Sequence, residues 1–470
     1  MTIEGANGSS QFGWGSPRIA LVGTYPPTRC GIATFTASLA HALTAARSGL
    51  QVGIVACAEA DSPALHPKEV LAQLVSGSPA SRIAAVAALA DFDVVVVQHE
   101  FGIYGGADGG EVLNLVRDLE VPVIVVLHTV PRRPTPGQRR VIERLCAMAQ
   151  RVVVQSVAAR ARLLEQYLVA PERVRVIPHG ARANLSAEQS RGDGSRAPVI
   201  LTWGLLGPDK GIEWGIDAIA RLGNLEPAPR YVVVGQTHPR ILAAAGEAYR
   251  ESLLTRAAAL GVGELVEFDN AYHDTRSLLA RVREADIVLL PYRSRDQVVS
   301  GVLVEALASG KPVVATRFPH AEELLAEGSG LVVPHEDAGA IAEALRSLLA
   351  DSALASRAAA VARRQARSLL WETVAESYLA LAAEITNRPP RMPTLELPPP
   401  GTRAIAKAGT TGRDLSGVPG TNENEGAEST IALIKALQQA QRLQAATRSS
   451  ASRISADPIV AAPMHRSAAP

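Results

Sequence analysis

From Arg18 onward, short β-branched runs alternate with longer Ala- and Leu-rich segments of helical period, a pattern that predicts parallel strands in βαβ units. The first set of runs is "RIALVG", "QVGIVA", "DVVVVQ", "PVIVVLH", "RVVVQ" and "VRVIP". A polar stretch of turn formers, "PHGARANLSAEQSRGDGSRAP", then precedes a second set, "VILTWG", "RYVVVG", "ELVEF", "DIVLLP", "PVVAT" and "GLVVP". The predicted fold class is therefore α/β, with two doubly wound Rossmann-like domains joined near residues 181–197. The two sets open alike: "PRIALVGTYPPTRCGI" and "PVILTWGLLGPDKGI" each give a strand, a glycine, a proline-bearing loop and a Gly-Ile that starts a helix. Ligands in such sheets bind beyond the carboxyl ends of the strands, so facing domains would line one cleft with both loops.

The pattern fades at the ends. Residues 1–16 are polar and Gly/Ser-rich, and 387–470 are rich in Pro, Gly, Thr, Asn and Ser; both are expected to be disordered, and "STIALIKALQQAQRLQAA" in the tail could form one amphipathic helix, more readily a marginal one without chemistry than a docking segment for a partner. The domains are then 17–196 and 197–365, followed by a helical segment at 366–386. At 470 residues, with 47% hydrophobic and 20% charged residues, the chain can bury two cores. A net charge of +1 gives no electrostatic reason to expect a nucleic-acid partner. Cys30, Cys57 and Cys146 are far apart and show no metal or disulfide spacing, and no apolar run approaches the roughly 20 residues of a membrane span. A soluble cytoplasmic protein is expected, with peripheral membrane contact left open.

Candidate chemistry concentrates at predicted strand ends. In "RDQVVSGVLVEALASGKPVVAT" a helix opens near Gly301, and the amides of Ser300, Gly301 and Val302 would offer a phosphate site at its N-terminus. Glu305 lies one turn on, an odd charge among Val302, Leu303, Ala306 and Leu307; an ionised carboxylate there could accept from both hydroxyls of a ribose. A solvated glutamate is the plain alternative. Lys210, before the second Gly-Ile, could neutralise a diphosphate, although loop lysines are usually only solvated. Gly31 holds the matching turn in the first domain, beside Arg29. His99 and His128 end two strands of the first set, which points to a site rather than two structural imidazoles. Asp91 and Asp93 resemble an acidic metal triplet but precede their strand, at the end away from the expected ligand. "DNAY", after the "ELVEF" strand, is a place for base contacts.

Taken together, "TYPPTRCGIATF", "QHEFGIYGG", "LHTVPRRPTPGQR", "GLLGPDKGIEW" and "SGVLVEALASGKPVVAT" resemble the retaining, GT-B-fold glycosyltransferases of family 4 over residues 17–385. The resemblance implies that Glu305 binds the donor ribose, that Ser300, Gly301 and Val302 meet the diphosphate and sugar, and that Lys210 and Gly31 approach the phosphates. It implies that His128 lies near the transferred sugar, and that 366–386 crosses back to the first domain, which would be the acceptor side. His99, Glu100 and Arg132 are the acceptor-side candidates. Two positions depart from the pattern: Gln297 stands where the family's first donor-site glutamate is expected, with Asp296 beside it, and Leu205 stands where a phosphate-binding arginine is expected. Arg132, Arg133, Arg293 and Arg295 are candidates to replace that charge.

The implied activity is transfer of a sugar from a nucleoside diphosphate sugar to a hydroxyl of a glycan, lipid or small-molecule acceptor. It would proceed with retention, with no metal and no cofactor beyond the donor itself. A nucleotide-sugar epimerase or hydrolase, and a non-catalytic relative that only binds nucleotide or glycan, are the alternatives.

Overall fold

A computed structural model describes residues 18–59, 67–185 and 196–386. The expectations for 1–16 and 387–470, including the amphipathic segment, fall outside the described residues.

The first sheet contains β1 (Arg18–Gly23), β2 (Gln51–Ala58), β3 (Val70–Val75), β4 (Val94–His99), β5 (Val123–Leu127), β6 (Arg151–Val154) and β7 (Val174–Val176), in the spatial order β3-β2-β1-β4-β5-β6-β7. The second contains β8 (Val199–Trp203), β9 (Arg230–Val234), β10 (Val266–Asp269), β11 (Ile287–Leu290), β12 (Val313–Thr316) and β13 (Gly330–Val333), in the order β10-β9-β8-β11-β12-β13. Every pairing is parallel. β3 is the strand that periodicity did not predict. It is a half-exposed edge strand, "VLAQLV", too short and too mixed for a period of 2 to be told from one of 3.6.

Both sheets reverse their strand order once, between β1 and β4 and between β8 and β11. At such a switch point the loops that follow the two central strands diverge and leave a crevice.

The central strands are buried on both faces, as parallel sheets require. In β1, Ile19 and Leu21 enter one core and Ala20 and Val22 the other. The first of these cores is closed by Phe35, Leu39 and Leu43 of the helix Gly31–Ala46 and by Trp371, Val374 and Tyr378 of the helix Trp371–Thr386. Full burial of such side chains contributes roughly 1.5 to 3 kcal/mol each. The chain thus returns from the helix Ser352–Leu369, packed on the second domain, to the core of the first. The outward and return crossings pair where they pass: Ala181 donates to the Leu369 carbonyl at 2.7 Å and Trp371 donates to the Ala181 carbonyl at 3.0 Å.

A second contact joins the domains. Glu323 of the helix Pro319–Leu325 accepts from the backbone N–H groups of Val157 and Ala158, both at 2.9 Å. These are orphan donors of the first turn of the helix Val157–Gln166, where a carboxylate also meets the positive end of the dipole.

Candidate functional site

The loops after β1, β4, β8, β9 and β10 converge on a cavity of about 2000 Å³ between the domains. Its wall on the second domain is built around the helix Gly301–Ala308. Ser300 caps this helix: its Oγ accepts from Leu303 N–H at 3.2 Å. The first-turn amides of Gly301 and Val302 have no partner among the described residues, and both residues line the cavity. The amide of Ser300 is not available with them. It donates to His320 Nδ1 at 2.9 Å, so the anion site expected from three amides is reduced to two.

Glu305 faces the same cavity one turn on. Trp203, the last residue of β8, donates its indole N–H to Glu305 Oε2 at 3.2 Å. Burial pushes the Glu305 carboxyl above the usual carboxylate range, and the Trp203 hydrogen bond and the Arg182 charge oppose that shift. A carboxylate fixed on one oxygen still has lone pairs for the hydroxyls of a ligand. The indole was not anticipated from sequence, because Trp203 read as the end of a buried strand. A tryptophan N–H at the carboxyl end of a central strand needs an acceptor, and that requirement was the available signal.

Gly301 is constrained by a neighbour the sequence did not reveal. A Cβ at that position would lie 2.9 Å from His179 Nε2. His179 packs edge-on against Phe35 and donates Nδ1–H to the Gly180 carbonyl at 2.8 Å; burial lowers its pKa to about 4. It lies at the start of the polar stretch between the two strand sets, and His179, Gly180 and Arg182 of that stretch form part of the wall.

Several expected ligands point elsewhere. The Gln297 side-chain amide donates to the Val299 carbonyl at 2.9 Å, and Gln297 does not line the cavity. Asp296 does not take its place: it lies 3.8 Å from Arg162 and 3.7 Å from Arg132. Arg132, an acceptor-side candidate, is thereby held at the domain boundary outside the cavity wall. Lys210 lies with its Nζ 4.3 Å from the Tyr292 ring centroid and is likewise not in the wall; the aromatic face holds the ammonium away from the cavity. Arg293 and Arg295 pair with Glu336 at 3.0 and 3.7 Å. The cations that do line the cavity are Arg29, Arg182 and Arg240. Leu205 also lines it, without a charge.

On the first domain, Gly31 opens the helix Gly31–Ala46, and no atom lies within 4 Å of where its Cβ would be. His128 lines the cavity with both ring nitrogens engaged: Gln155 Nε2 donates to Nδ1 at 3.2 Å, and Nε2–H is donated to Gln98 Oε1 at 2.8 Å. Burial lowers its pKa to about 3, so the ring is neutral at pH 7. Glu100 also lines the cavity, accepting from Thr129 Oγ1 at 2.5 Å and from Phe101 N–H at 3.0 Å; burial raises its pKa. His99 is a correction. Its side chain is fully buried, packed edge-on to Phe101 and stacked with Tyr104, with both ring nitrogens unpartnered. The strand end it occupies turns its side chain into the sheet's core rather than the cleft. Ala271 and Tyr272 of "DNAY" do line the cavity, with Arg29 over the Tyr272 ring at 5.2 Å.

Asp93 accepts from Arg18 N–H at 2.7 Å at the opposite end of the first sheet, far from this cavity in the strand direction. Among the described residues no group of three or more His, Cys, Asp or Glu is arranged to hold a metal ion, and no helix is long and apolar enough to cross a membrane.

Comparison with known proteins matches each half of the chain. Residues 30–184 match the family described as Glycosyltransferase Family 4, and residues 197–351 match the glycosyl transferases group 1. A D-inositol 3-phosphate glycosyltransferase of Geodermatophilus obscurus is 31% identical over 313 residues, covering 60% of this chain and 67% of that protein. Among solved structures, sucrose-phosphate synthase from Thermosynechococcus elongatus superposes with a TM-score of 0.64 at 21% identity, over 79% of this chain and 99% of that one. Anabaena HepE in complex with UDP gives 0.61 at 18% identity, over 78% and 100%. At these identities the structural likeness concerns the fold, which is the GT-B arrangement of two facing sheets.

Proposed function

Because the chain belongs to the family 4, group 1 glycosyltransferases, and so acts as a glycosyltransferase on nucleotide-sugar donors, we propose that it transfers the sugar with retention and without a metal. The observation that carries the donor-site reading is the pairing of two unpartnered helix N-terminal amides, at Gly301 and Val302, with Glu305 one turn on in the same cavity wall. The amides suit the diphosphate and the carboxylate suits the ribose hydroxyls. Gly31, across the cavity, leaves room for the phosphates to approach the first domain.

In the proposed reaction the bond from the anomeric carbon to the donor phosphate breaks, and a bond from the acceptor oxygen forms on the same face. The acceptor proton passes to the departing phosphate oxygen. The protein's part is to orient the two substrates and to stabilise the charge that develops on the leaving group. A neutral His128, with both nitrogens engaged by glutamines, supports a binding role beside the transferred sugar over a proton-transfer role. The acceptor half of the cavity carries Glu59, Glu69 and Glu100 with His41 and Arg29, a lining suited to a hydroxyl-rich molecule.

The test is direct. Purified protein is supplied with UDP- and GDP-sugars and a panel of polyol, glycan and lipid acceptors, with chelator present, and the product is examined by NMR. Transfer that keeps the donor's anomeric configuration is expected. An inverted product would rule out retention, and abolition by chelator with rescue by added metal would rule out the metal-free mechanism. Free sugar released at full rate without acceptor would favour hydrolysis instead.

A further inference from the structure

The donor site as built lacks an obvious cation at the phosphates. Leu205 occupies the position where an arginine is expected, and Lys210 is drawn onto Tyr292. Arg132, Arg293 and Arg295 pair with carboxylates elsewhere. Of the three arginines in the cavity wall, two are engaged across the mouth between the domains: Arg240 Nη2 donates to the Gly102 carbonyl at 2.9 Å, and Arg29 lies over Tyr272. Arg182 makes no hydrogen bond or ion pair among the described residues, and it is exposed to the cavity.

Its backbone is nevertheless fixed. His179, three residues before it, packs on Gly301 at the start of the helix Gly301–Ala308. Ala181 is pinned to the return crossing at Leu369 and Trp371. Asn184, two residues after it, donates to Ser309 Oγ at 3.0 Å and to the Leu279 carbonyl at 3.0 Å. Ser309 in turn donates to the Glu305 carbonyl at 2.8 Å. The segment 179–184 therefore runs beside the helix from its first turn to its end, with Arg182 between two anchored neighbours. That course brings Arg182 alongside Glu305, whose carboxyl feels its charge. With the ribose at Glu305 and the diphosphate at the amides of Gly301 and Val302, the phosphate esterified to the ribose must lie between them, within one helical turn.

We infer that Arg182 binds the ribose-linked phosphate of the donor and supplies the cation that Leu205 omits; the inference rests on the donor-site reading above. A guanidinium is suited to this because its fork can meet two phosphate oxygens at once. The crossing segment, which joins the domains, thereby becomes part of the nucleotide site.

The experiment measures affinities of the full chain for nucleoside, nucleoside monophosphate and nucleoside diphosphate, in uridine and guanosine series. Ligand-observed NMR serves for the weak nucleoside and calorimetry for the others. Arg182→Met keeps the apolar stem and removes the charge; Arg182→Lys restores a charge without the fork. For Arg182→Met the expected result is unchanged nucleoside affinity and a loss of roughly tenfold or more for both the monophosphate and the diphosphate. Arg182→Lys should fall between, with all melting temperatures unchanged. Unaltered monophosphate affinity in Arg182→Met would overturn the inference. So would an equal loss across all three ligands, which would place the effect in Glu305 or in the fold. A Glu305→Gln variant that binds nucleoside as well as the wild type would instead overturn the donor-site reading on which the inference rests.

Discussion

The two domains begin with the same local pattern and use it differently. Gly31 and Gly211 hold matching places, each just after a proline-bearing loop and at the start of a helix. Gly211 has a left-handed backbone, with φ at 59°, and a Cβ there would lie 2.1 Å from the Pro291 carbonyl oxygen. Its reason to be glycine is the fold of its own domain. At Gly31 no atom lies within 4 Å of where a Cβ would be and the residue lines the cavity, so its own domain sets no requirement for glycine there. Two identical sequence signals thus separate into a structural requirement and an unobstructed position on the cavity wall.

The largest effect expected from this contrast is on stability. Gly211→Ala combines a left-handed strain of roughly 1 to 2 kcal/mol with a backbone clash, so thermal denaturation should show a severe loss. Gly31→Ala should change stability by no more than about 0.5 kcal/mol, as at other unobstructed positions, yet lower turnover. Equal melting temperatures for the two variants would erase the distinction.

The halves also differ in buried imidazoles. His99 and His128 are lowered to about 3 and His179 to about 4 in the first domain, while in the second His320 is lowered to about 3 and the less deeply buried His238 is lowered as well, in each case chiefly by burial. In the unfolded chain such groups titrate near 6.5, so below that pH the unfolded state binds more protons than the folded one. Stability should therefore fall as pH drops from about 6.5 toward 4, and more steeply in the first domain. Glu100 and Glu305, one in each half, shift the opposite way and leave that difference standing. Hydrogen exchange at pH 7 and pH 5 checks it: protection lost evenly in both sheets would count against the assignment.

A smaller effect is expected where the halves meet. Glu323→Ala removes the acceptor of two first-turn amides and should cost about 1 to 2 kcal/mol, like the loss of a helix cap. Scanning calorimetry should then show the two domains melting further apart; one unchanged transition would mean that this contact does not couple them.

Much of this architecture was legible in the chain, and the exceptions have physical causes. Buried parallel strands such as "DVVVVQ" announce themselves because both faces need apolar side chains, whereas edge strand β3 needs only half of that pattern. Glu305 stood out as a charge in an apolar helix. Lys210 and Gln297 were placed by motif alone, and motif spacing does not record that Tyr292 or the Val299 carbonyl would claim their side chains. His179, Arg182 and Arg240 were hidden because the first two come from the polar stretch between the strand sets and the third from the first turn of the helix Pro239–Ala245. Their importance arises only when the two cavity walls face each other.

The central claim is that the helix Gly301–Ala308 with Glu305 forms the nucleotide-sugar site. It is tested most directly by calorimetric titration of the wild type and of Glu305→Gln with the nucleoside diphosphate sugar that the wild type turns over. Loss of one charge-assisted bond to a ribose hydroxyl should weaken binding roughly tenfold to a hundredfold, with an unchanged melting temperature. Equal affinity in the two proteins would contradict the account.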